Sequence, residues 1–276
     1  MSTLIAAGSL WPARTDTRTI QVGSVGPVEV TVQDRDRTRP FLLLHGGGGA
    51  LTMAGFADLL AERTHSRVLL PTHPGFGGTP KAGELASVAG LAQTYVTMLE
   101  QFDLTDVTVI GNSFGGWLAA EIAVKAGHRI DRLVLVDPLG IKISDRETPD
   151  ILDVFNVHPR EVEHRSWHSP EKWAPRYDDL TDEQLVRIAR NRDALCLYGW
   201  HPYMYNPQLK RWLGRIRRPT LVLWGASDGI VSPSYGAHYA RLIPGSQFEV
   251  IPEAGHHPEI EQPEIFADRV SKFLTT

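Results

Sequence analysis

The chain has almost no cysteine: Cys196 is alone among 276 residues. A lone thiol excludes an internal disulfide and any metal site built from several cysteines, and it suits a reducing compartment, so a cytoplasmic location is expected. Runs of basic residues are also missing. With 28 Lys and Arg against 32 Asp and Glu, the formal net charge is -4. Phosphate recognition needs clustered cations, so no nucleic-acid partner is expected. The nearest approach to a basic patch, Arg211 to Arg218, reads as the solvated side of a helix. No apolar run approaches the roughly 20 residues that span a bilayer. Met1 to Trp11 has neither a basic start nor a long apolar centre, so neither a membrane segment nor a signal peptide is expected. No Gly-x-Gly-x-x-Gly or Gly-x-x-x-x-Gly-Lys follows a strand, which argues against dinucleotide and phosphoryl chemistry. No metal site is expected from the eleven histidines, and no cofactor. There is no internal repeat. What remains, at 42% hydrophobic and 22% charged residues, is one large globular domain with room for an insertion.

The most informative stretch is Val107-Thr108-Val109-Ile110-Gly111-Asn112-Ser113-Phe114-Gly115-Gly116-Trp117. Four β-branched residues in a row suit a strand covered on both faces, and Trp117 to Ala123 resumes at once as a helix former. A serine in so tight a strand-to-helix turn needs neighbours without side chains, which Gly111 and Gly115 supply, and its hydroxyl then projects above the sheet edge. The first N–H groups of the helix point at the same place, where they stabilise negative charge.

On either side of this stretch, apolar runs alternate with amphipathic helical ones. An opening hairpin is expected from 17–22 and 27–32, as two edge strands, followed by strands at 40–44, 67–71, 107–110, 132–136, 220–224 and 247–251. Helices are expected at 52–63, 88–102, 234–242 and 263–274, besides the one after the serine. Such alternation implies right-handed crossovers and a mostly parallel α/β sheet with helices on both faces, its ligand chemistry at the carboxyl ends of the strands. The alternation stops between 139 and 214. Helical pieces at 181–197 and 206–213, separated by Pro149, Pro159, Pro170, Pro175 and Pro202, suggest a helical cap inserted into a core of residues 1–138 and 215–276. Its aromatics, among them Trp167, Trp173, Tyr177, Tyr198, Trp200 and Tyr203, would form a small core or line a lid. Trp173 and Trp200 are taken, with Gly48 and Asn112, as substrate-binding residues.

A serine hydroxyl is a poor nucleophile at neutral pH and needs a base, which in turn needs an orienting carboxylate. Asp228 lies just past one strand end and His256 just past the next, so a parallel sheet brings both to the edge that carries Ser113. His257 is a rival base and Asp137, at another strand end, a rival acid. His45 and His73 read as loop-holding residues. An oxyanion needs donors already aimed at it, and the glycine run Gly46 to Gly49 allows the backbone to approach closely; which glycine donates stays open.

At this point the chain resembles the α/β-hydrolase superfamily, in its cap-bearing branch. The resemblance rests on His45-Gly46-Gly47, Gly111-Asn112-Ser113-Phe114-Gly115-Gly116, Trp224-Gly225-Ala226-Ser227-Asp228 and Gly255-His256-His257-Pro258 with Glu261-Gln262-Pro263 behind it. It implies an eight-stranded sheet, Ser113 as nucleophile, His256 as base, Asp228 as orienting acid, and the N–H groups of Gly47 and Phe114 as oxyanion hole. The implied substrate is a small molecule, first a small or medium carboxylic ester. The alternatives are a C–C bond hydrolase of the meta-cleavage-product type and a ligand receptor without catalysis. The C–C group's motifs are similar at Gly111 to Gly116 and Pro74 to Gly77, but this chain departs at Gly49-Ala50, where Pro-Gly is usual, and at His257, where tryptophan is common. That reading also needs an arginine such as Arg187, Arg190 or Arg192 to reach the cleft.

Overall fold

A computed structural model describes residues 14–35, 40–81 and 85–275; the Met1 to Trp11 stretch, where no signal peptide is expected, lies outside them. In chain order the elements are β1 (Arg14–Val22), β2 (Gly26–Arg35), β3 (Pro40–Leu44), α1 (Leu51–Thr64), β4 (Arg67–Thr72), α2 (Val88–Gln101), β5 (Val107–Asn112), α3 (Phe114–Ala126) and β6 (Ile130–Val136). Then come α4 (Pro159–Ser166), α5 (Pro170–Trp173), α6 (Asp182–Gly199), α7 (Leu209–Trp212), β7 (Thr220–Gly225), α8 (Pro233–Arg241), β8 (Gln247–Ile251), α9 (Pro258–Glu261) and α10 (Pro263–Thr275).

The strands form one eight-stranded sheet in the order β1-β2-β4-β3-β5-β6-β7-β8. β1 and β2 are antiparallel, as are β2 and β4, and every other neighbouring pair is parallel. The expectation of two edge strands is corrected here. Of the two hairpin strands β1 alone is an edge, because Thr31 to Arg35 of β2 pair with Val68 to Thr72 of β4; the sheet's other edge is β8.

Successive strand residues serve opposite faces, as a pleated strand requires. Leu42, Leu44, Val109, Leu133, Leu135, Val222 and Trp224 pack with residues of α2, α3 and α8. Their neighbours Phe41, Leu43, Ile110, Val134, Val136, Leu221 and Leu223 pack with residues of α1 and α10. Helices therefore cover both faces, and the near-continuous apolar runs in the sequence have this cause. The registers Leu44↔Gly111, Asn112↔Val136, Val136↔Leu223 and Gly225↔Ile251 align the carboxyl ends of β3, β5, β6, β7 and β8 along one edge.

Between β6 and β7 the described chain holds helices and no strand; one isolated bridge, Gly140↔Tyr205, lies within this stretch, and a second, Ile151↔Val231, ties it to the loop after β7. Pro159 and Pro170 stand at helix boundaries, each as the first residue of a helix, α4 and α5, at a position whose N–H has no helical partner anyway. α6 starts at a capping box in which Thr181 and Gln184 exchange side-chain and backbone bonds. It rests on the sheet's carboxyl edge, where the Tyr198 hydroxyl donates to the Pro74 carbonyl over 3.0 Å.

Candidate active site

All six residues of β5 are buried, and α3 begins three residues after its glycine, Gly111. Ser113 between them has φ 53° and ψ -116°, a conformation that costs a non-glycine residue on the order of 1–3 kcal/mol. Its neighbours hold it there. A Cβ on Gly111 would stand 2.2 Å from the Gly115 carbonyl oxygen, and one on Gly115 would stand 1.9 Å from that of Leu44. Strand, turn and helix thus pass too close for any side chain, which is why glycine occupies both positions. The Phe114 N–H, first of α3, has no partner within the helix and is left facing the turn.

Three side chains from three strand ends meet at this turn. His256 Nε2 lies 2.7 Å from Ser113 Oγ, and His256 Nδ1 lies 2.7 Å from Asp228 Oδ2. Asp228 Oδ1 accepts from the N–H groups of Ile230 and Val231 at 2.8 and 3.1 Å, so its carboxylate is fixed before it meets the imidazole. The His256 N–H donates to the Ser166 carbonyl over 2.7 Å, so the end of α4 positions the histidine loop. The loops of Asp228 and His256 pass so closely that a Cβ on Gly225 would stand 1.8 Å from the Gly255 carbonyl oxygen. Glu261, buried, closes the bracket: its carboxylate accepts from the N–H groups of Gly255, His168 and Ser169.

The rival residues stand elsewhere in the hydrogen-bond scheme. His257 turns its ring onto Trp167, with centroids 4.6 Å apart, and its Nδ1 lies 3.5 Å from Glu259 Oε1. Burial disfavours its cation, but the carboxylates of Glu259, Glu163 and Asp228 together outweigh that, and its pKa is raised. Asp137 is fully buried, and its Oδ1 accepts from the Gly225 N–H over 2.9 Å. Asp137, Asp228 and His256 bring possible ligand atoms within 4.8 Å of one another, but His256 and Asp228 spend theirs on each other and on backbone donors. His164 and His168 are four apart, a spacing that suits a metal on one helix face, yet α4 ends at Ser166 and His168 Nδ1 is bonded to Ser227 Oγ.

Two buried carboxyls side by side cannot both be ionised. Burial above all, then the charge of Asp228, pushes the pKa of Asp137 well above the usual carboxylate range, and the Gly225 donor does not offset them. In the unfolded chain an aspartate loses its proton near pH ~3.9, whereas folded Asp137 keeps it. Its contribution to stability is therefore complete below that pH and is lost as pH rises toward the folded value. Asp137→Asn, which does not ionise and still accepts from Gly225, is expected to melt progressively higher than the parent as pH goes from 4 to 8. Thermal melts of both proteins across that range check this, and a difference independent of pH would contradict it.

His45 and His73 stack with ring centroids 3.8 Å apart, both fully buried. The His73 N–H donates to His45 Nε2, which leaves His45 Nδ1–H to donate to the Gly46 carbonyl over 2.7 Å. His73 Nε2–H donates to the His45 carbonyl, and the Tyr95 hydroxyl donates to His73 Nδ1 over 2.6 Å. Burial pushes His45 down to about 4, against the opposing pull of Gly46, and pushes His73 lower than usual as well. Both rings are neutral props of the glycine loop.

The hydroxyl of Ser113 opens into a cavity of about 310 Å³ lined by Gly47, Gly48, Leu139, Ile151, Phe155, Ile188, Leu195, Tyr203, Met204 and Ile230, with Glu163, Asn191, Arg192 and His257 among its polar walls. Of the residues expected to bind substrate, Gly48 lines it; the other three are corrected. Asn112 is buried beneath the site, its Nδ2 directed at the His256 carbonyl at 3.4 Å and at Glu259 at 3.5 Å. Trp200 is 58% exposed and touches the cavity only through Phe155, 5.7 Å away. Trp173 stands under Lys172 on α5 and is not part of the lining. For Trp200, which caps α6, the cause is helical phase: α6 points Ile188, Asn191, Arg192 and Leu195 inward at three- and four-residue spacing, and residue 200 is out of step with them. Of the three arginines weighed, Arg192 alone lines the cavity, with its Nη2 donating to the Val154 carbonyl over 2.8 Å.

Residues 39–263 match the family model described as the alpha/beta hydrolase fold. A 2-hydroxy-6-oxo-2,4-heptadienoate hydrolase of Pseudomonas putida is 29% identical over 267 residues, covering 90% of this chain and 94% of that protein. An sn-1-specific diacylglycerol lipase of Mus musculus is 26% identical over 275 residues, covering 90% of this chain and 85% of that one. Among solved structures, a thermophilic esterase from Thermogutta terrifontis, 25% identical, aligns with a TM-score of 0.70 over 94% of this chain and 98% of its own.

Proposed function

Since the chain belongs to the α/β-hydrolase family, we propose that it is a serine hydrolase that cleaves a carbonyl substrate through a covalent bond to Ser113. The observation that carries this reading is the unbroken series Ser113 Oγ, His256, Asp228, with 2.7 Å at each step, opening into a mostly apolar cavity. His256 takes the hydroxyl proton as Ser113 attacks the carbonyl, and Asp228 stabilises the imidazolium that forms. The N–H groups of Gly47 and Phe114 receive the oxyanion. His256 then returns the proton to the leaving group, and a water activated by the same ring releases the acyl group from Ser113. Each oxyanion donor is typically worth roughly 3 to 4 kcal/mol. Residues 139–214 act as the cap that excludes water over a core of 1–138 and 215–276, and the protein works in the cytoplasm, a location supported by its single cysteine.

The first substrate class is a carboxylic ester of small or medium size, because the apolar lining recognises an acyl chain and the reaction asks for nothing beyond the residues just named. A second reading, C–C cleavage of an acidic diketo compound, is favoured by one observation: Arg192 lines the cavity and makes no ion pair among the described residues. A guanidinium so placed suits a substrate carboxylate, and one relative is named for such a dienoate. The deciding assay compares short p-nitrophenyl esters with a vinylogous 1,5-diketo acid on one preparation. Higher kcat/KM for the esters, unchanged in Arg192→Leu, is expected. A far higher value for the diketo acid, lost in Arg192→Leu, would reverse the order of the two readings.

A further inference from the structure

The loop that carries Gly47 has no side chain of its own; His45 bonds the Gly46 carbonyl at one end and the Thr52 hydroxyl donates to the Gly49 carbonyl at the other. Gly46 to Gly49 are consecutive glycines, the residue type with the greatest backbone freedom, and Gly49 sits at φ 89°. A donor that must already be aimed when the oxyanion forms cannot depend on so loose a segment unless something outside the loop fixes it.

The group that fixes its middle, at Gly48, is on α6. Asn191 is 5% exposed in the middle of that helix, where asparagine is a poor helix former and its short polar side chain needs a reason. Both ends of its amide are committed to backbone. Nδ2 donates to the Gly48 carbonyl over 2.7 Å, and Oδ1 accepts from the Gly77 N–H over 2.7 Å, in the turn that follows β4. The fit is close: a Cβ on Gly49 would stand 2.6 Å from Asn191 Nδ2.

The bond to Gly48 continues toward the site. The peptide group that contains the Gly48 carbonyl also contains the Gly49 N–H, which donates to the Gly46 carbonyl over 3.1 Å. The peptide group that contains the Gly46 carbonyl also contains the Gly47 N–H. In a trans peptide the C=O and N–H point in opposite directions, so donation to one end orients the other and strengthens its N–H as a donor. His45 Nδ1 supplies a second bond to the Gly46 carbonyl from below.

We propose that Asn191 is a positioning residue for catalysis: through the peptide groups 48–49 and 46–47 it aims the Gly47 N–H at the oxyanion and so makes the oxyanion hole depend on the seating of α6. This rests on the reading of Gly47 as an oxyanion donor. It gives α6 a second role beside lining the cavity, because a helix lifted away from the sheet edge would release the glycine loop at the same moment that it admits water.

The test measures how fast an alkyl fluorophosphonate phosphonylates Ser113 in the full-length protein, a reaction whose P=O oxygen uses the same donors and needs no knowledge of the substrate. Asn191→Ala is expected to slow it about ten- to hundredfold, below the 10²–10³ for removing a donor outright because the N–H is misdirected and not deleted. The end point should stay at one label per chain. The far-downfield proton resonance of the His256 Nδ1–Asp228 bond should be unchanged, which a general loosening of the site would not allow. Asn191→Asp keeps the acceptor for Gly77 but turns a carboxylate oxygen on the Gly48 carbonyl, and is expected to be at least as slow; it answers the question should the alanine variant not fold. Rates within twofold of the parent in either variant, or slow rates accompanied by loss of the downfield resonance, would overturn the proposal. Absence of label in the parent protein would instead defeat the assignment of Ser113 itself.

Discussion

Ser113→Ala is expected to lower turnover about a millionfold, the scale on which removing the nucleophile of such a constellation acts, while leaving the fold intact. Among the described residues nothing nearby takes its place. The hydroxyl stands on a strained turn whose position is dictated by contact of Gly111 with Gly115 and of Gly115 with Leu44. Ser166, at the end of α4, spends its hydroxyl on the Val162 carbonyl. Alanine fits at residue 113 without new contacts, so thermal melts should differ little, and the residual rate should reflect the oxyanion hole and substrate binding alone. Steady-state kinetics on whichever substrate class the ester and diketo-acid comparison selects checks this. A loss of less than a hundredfold would mean that another group performs the attack.

Asp228→Asn is expected to cost on the order of 10⁴ in kcat, while Asp137→Asn changes the rate by a small factor. The amide at residue 228 can still accept from Ile230 and Val231, but it then presents N–H₂ to His256 Nδ1 and favours the tautomer whose Nε2 already carries a proton. That ring cannot accept from Ser113. Asp137 cannot substitute, since its Oδ1 is spent on Gly225 and its other oxygen is held neutral by burial beside Asp228. Asp228 is the member of the pair whose carboxyl faces His256 Nδ1. Parallel kinetics on the two variants, with melts to separate folding from rate, test this ranking. The reverse order would make Asp137 the orienting acid.

The parts of this protein that were legible in its sequence are those fixed by short-range sterics and by strand register. Gly111 and Gly115 could be read as contact positions because a strand that turns into a helix within two residues leaves no volume for a Cβ. Asp228 and His256 could be placed with Ser113 because each follows a strand, and parallel strands end on one edge. Helical phase was not legible. The density of aromatics between 139 and 214 points to Trp173 and Trp200, whereas the inward face of α6 is Ile188, Asn191, Arg192 and Leu195, of which only Arg192 is a candidate from the sequence, beside Arg187 and Arg190. A helical wheel anchored on the Thr181 cap would have put residues 188, 191, 192 and 195 on one side, and a lone asparagine inside that stripe was the available signal for Asn191. The role of Asn112 was hidden because its side chain points down to Glu259 and the His256 backbone, on the side of the turn away from the cavity. Pro159 and Pro170 were ambiguous in principle, since the same residue ends one helix and begins another. The placement of β2 inside the sheet depends on its pairing with β4, a long-range contact that its own alternation does not encode.

The most direct measurement is the intact mass of the purified, folded protein after exposure to a fluorophosphonate, followed by peptide mapping. One adduct per chain, located on Ser113 and absent from Ser113→Ala, is the predicted result. A folded protein that takes up no label, or takes it up at another residue, would contradict the account.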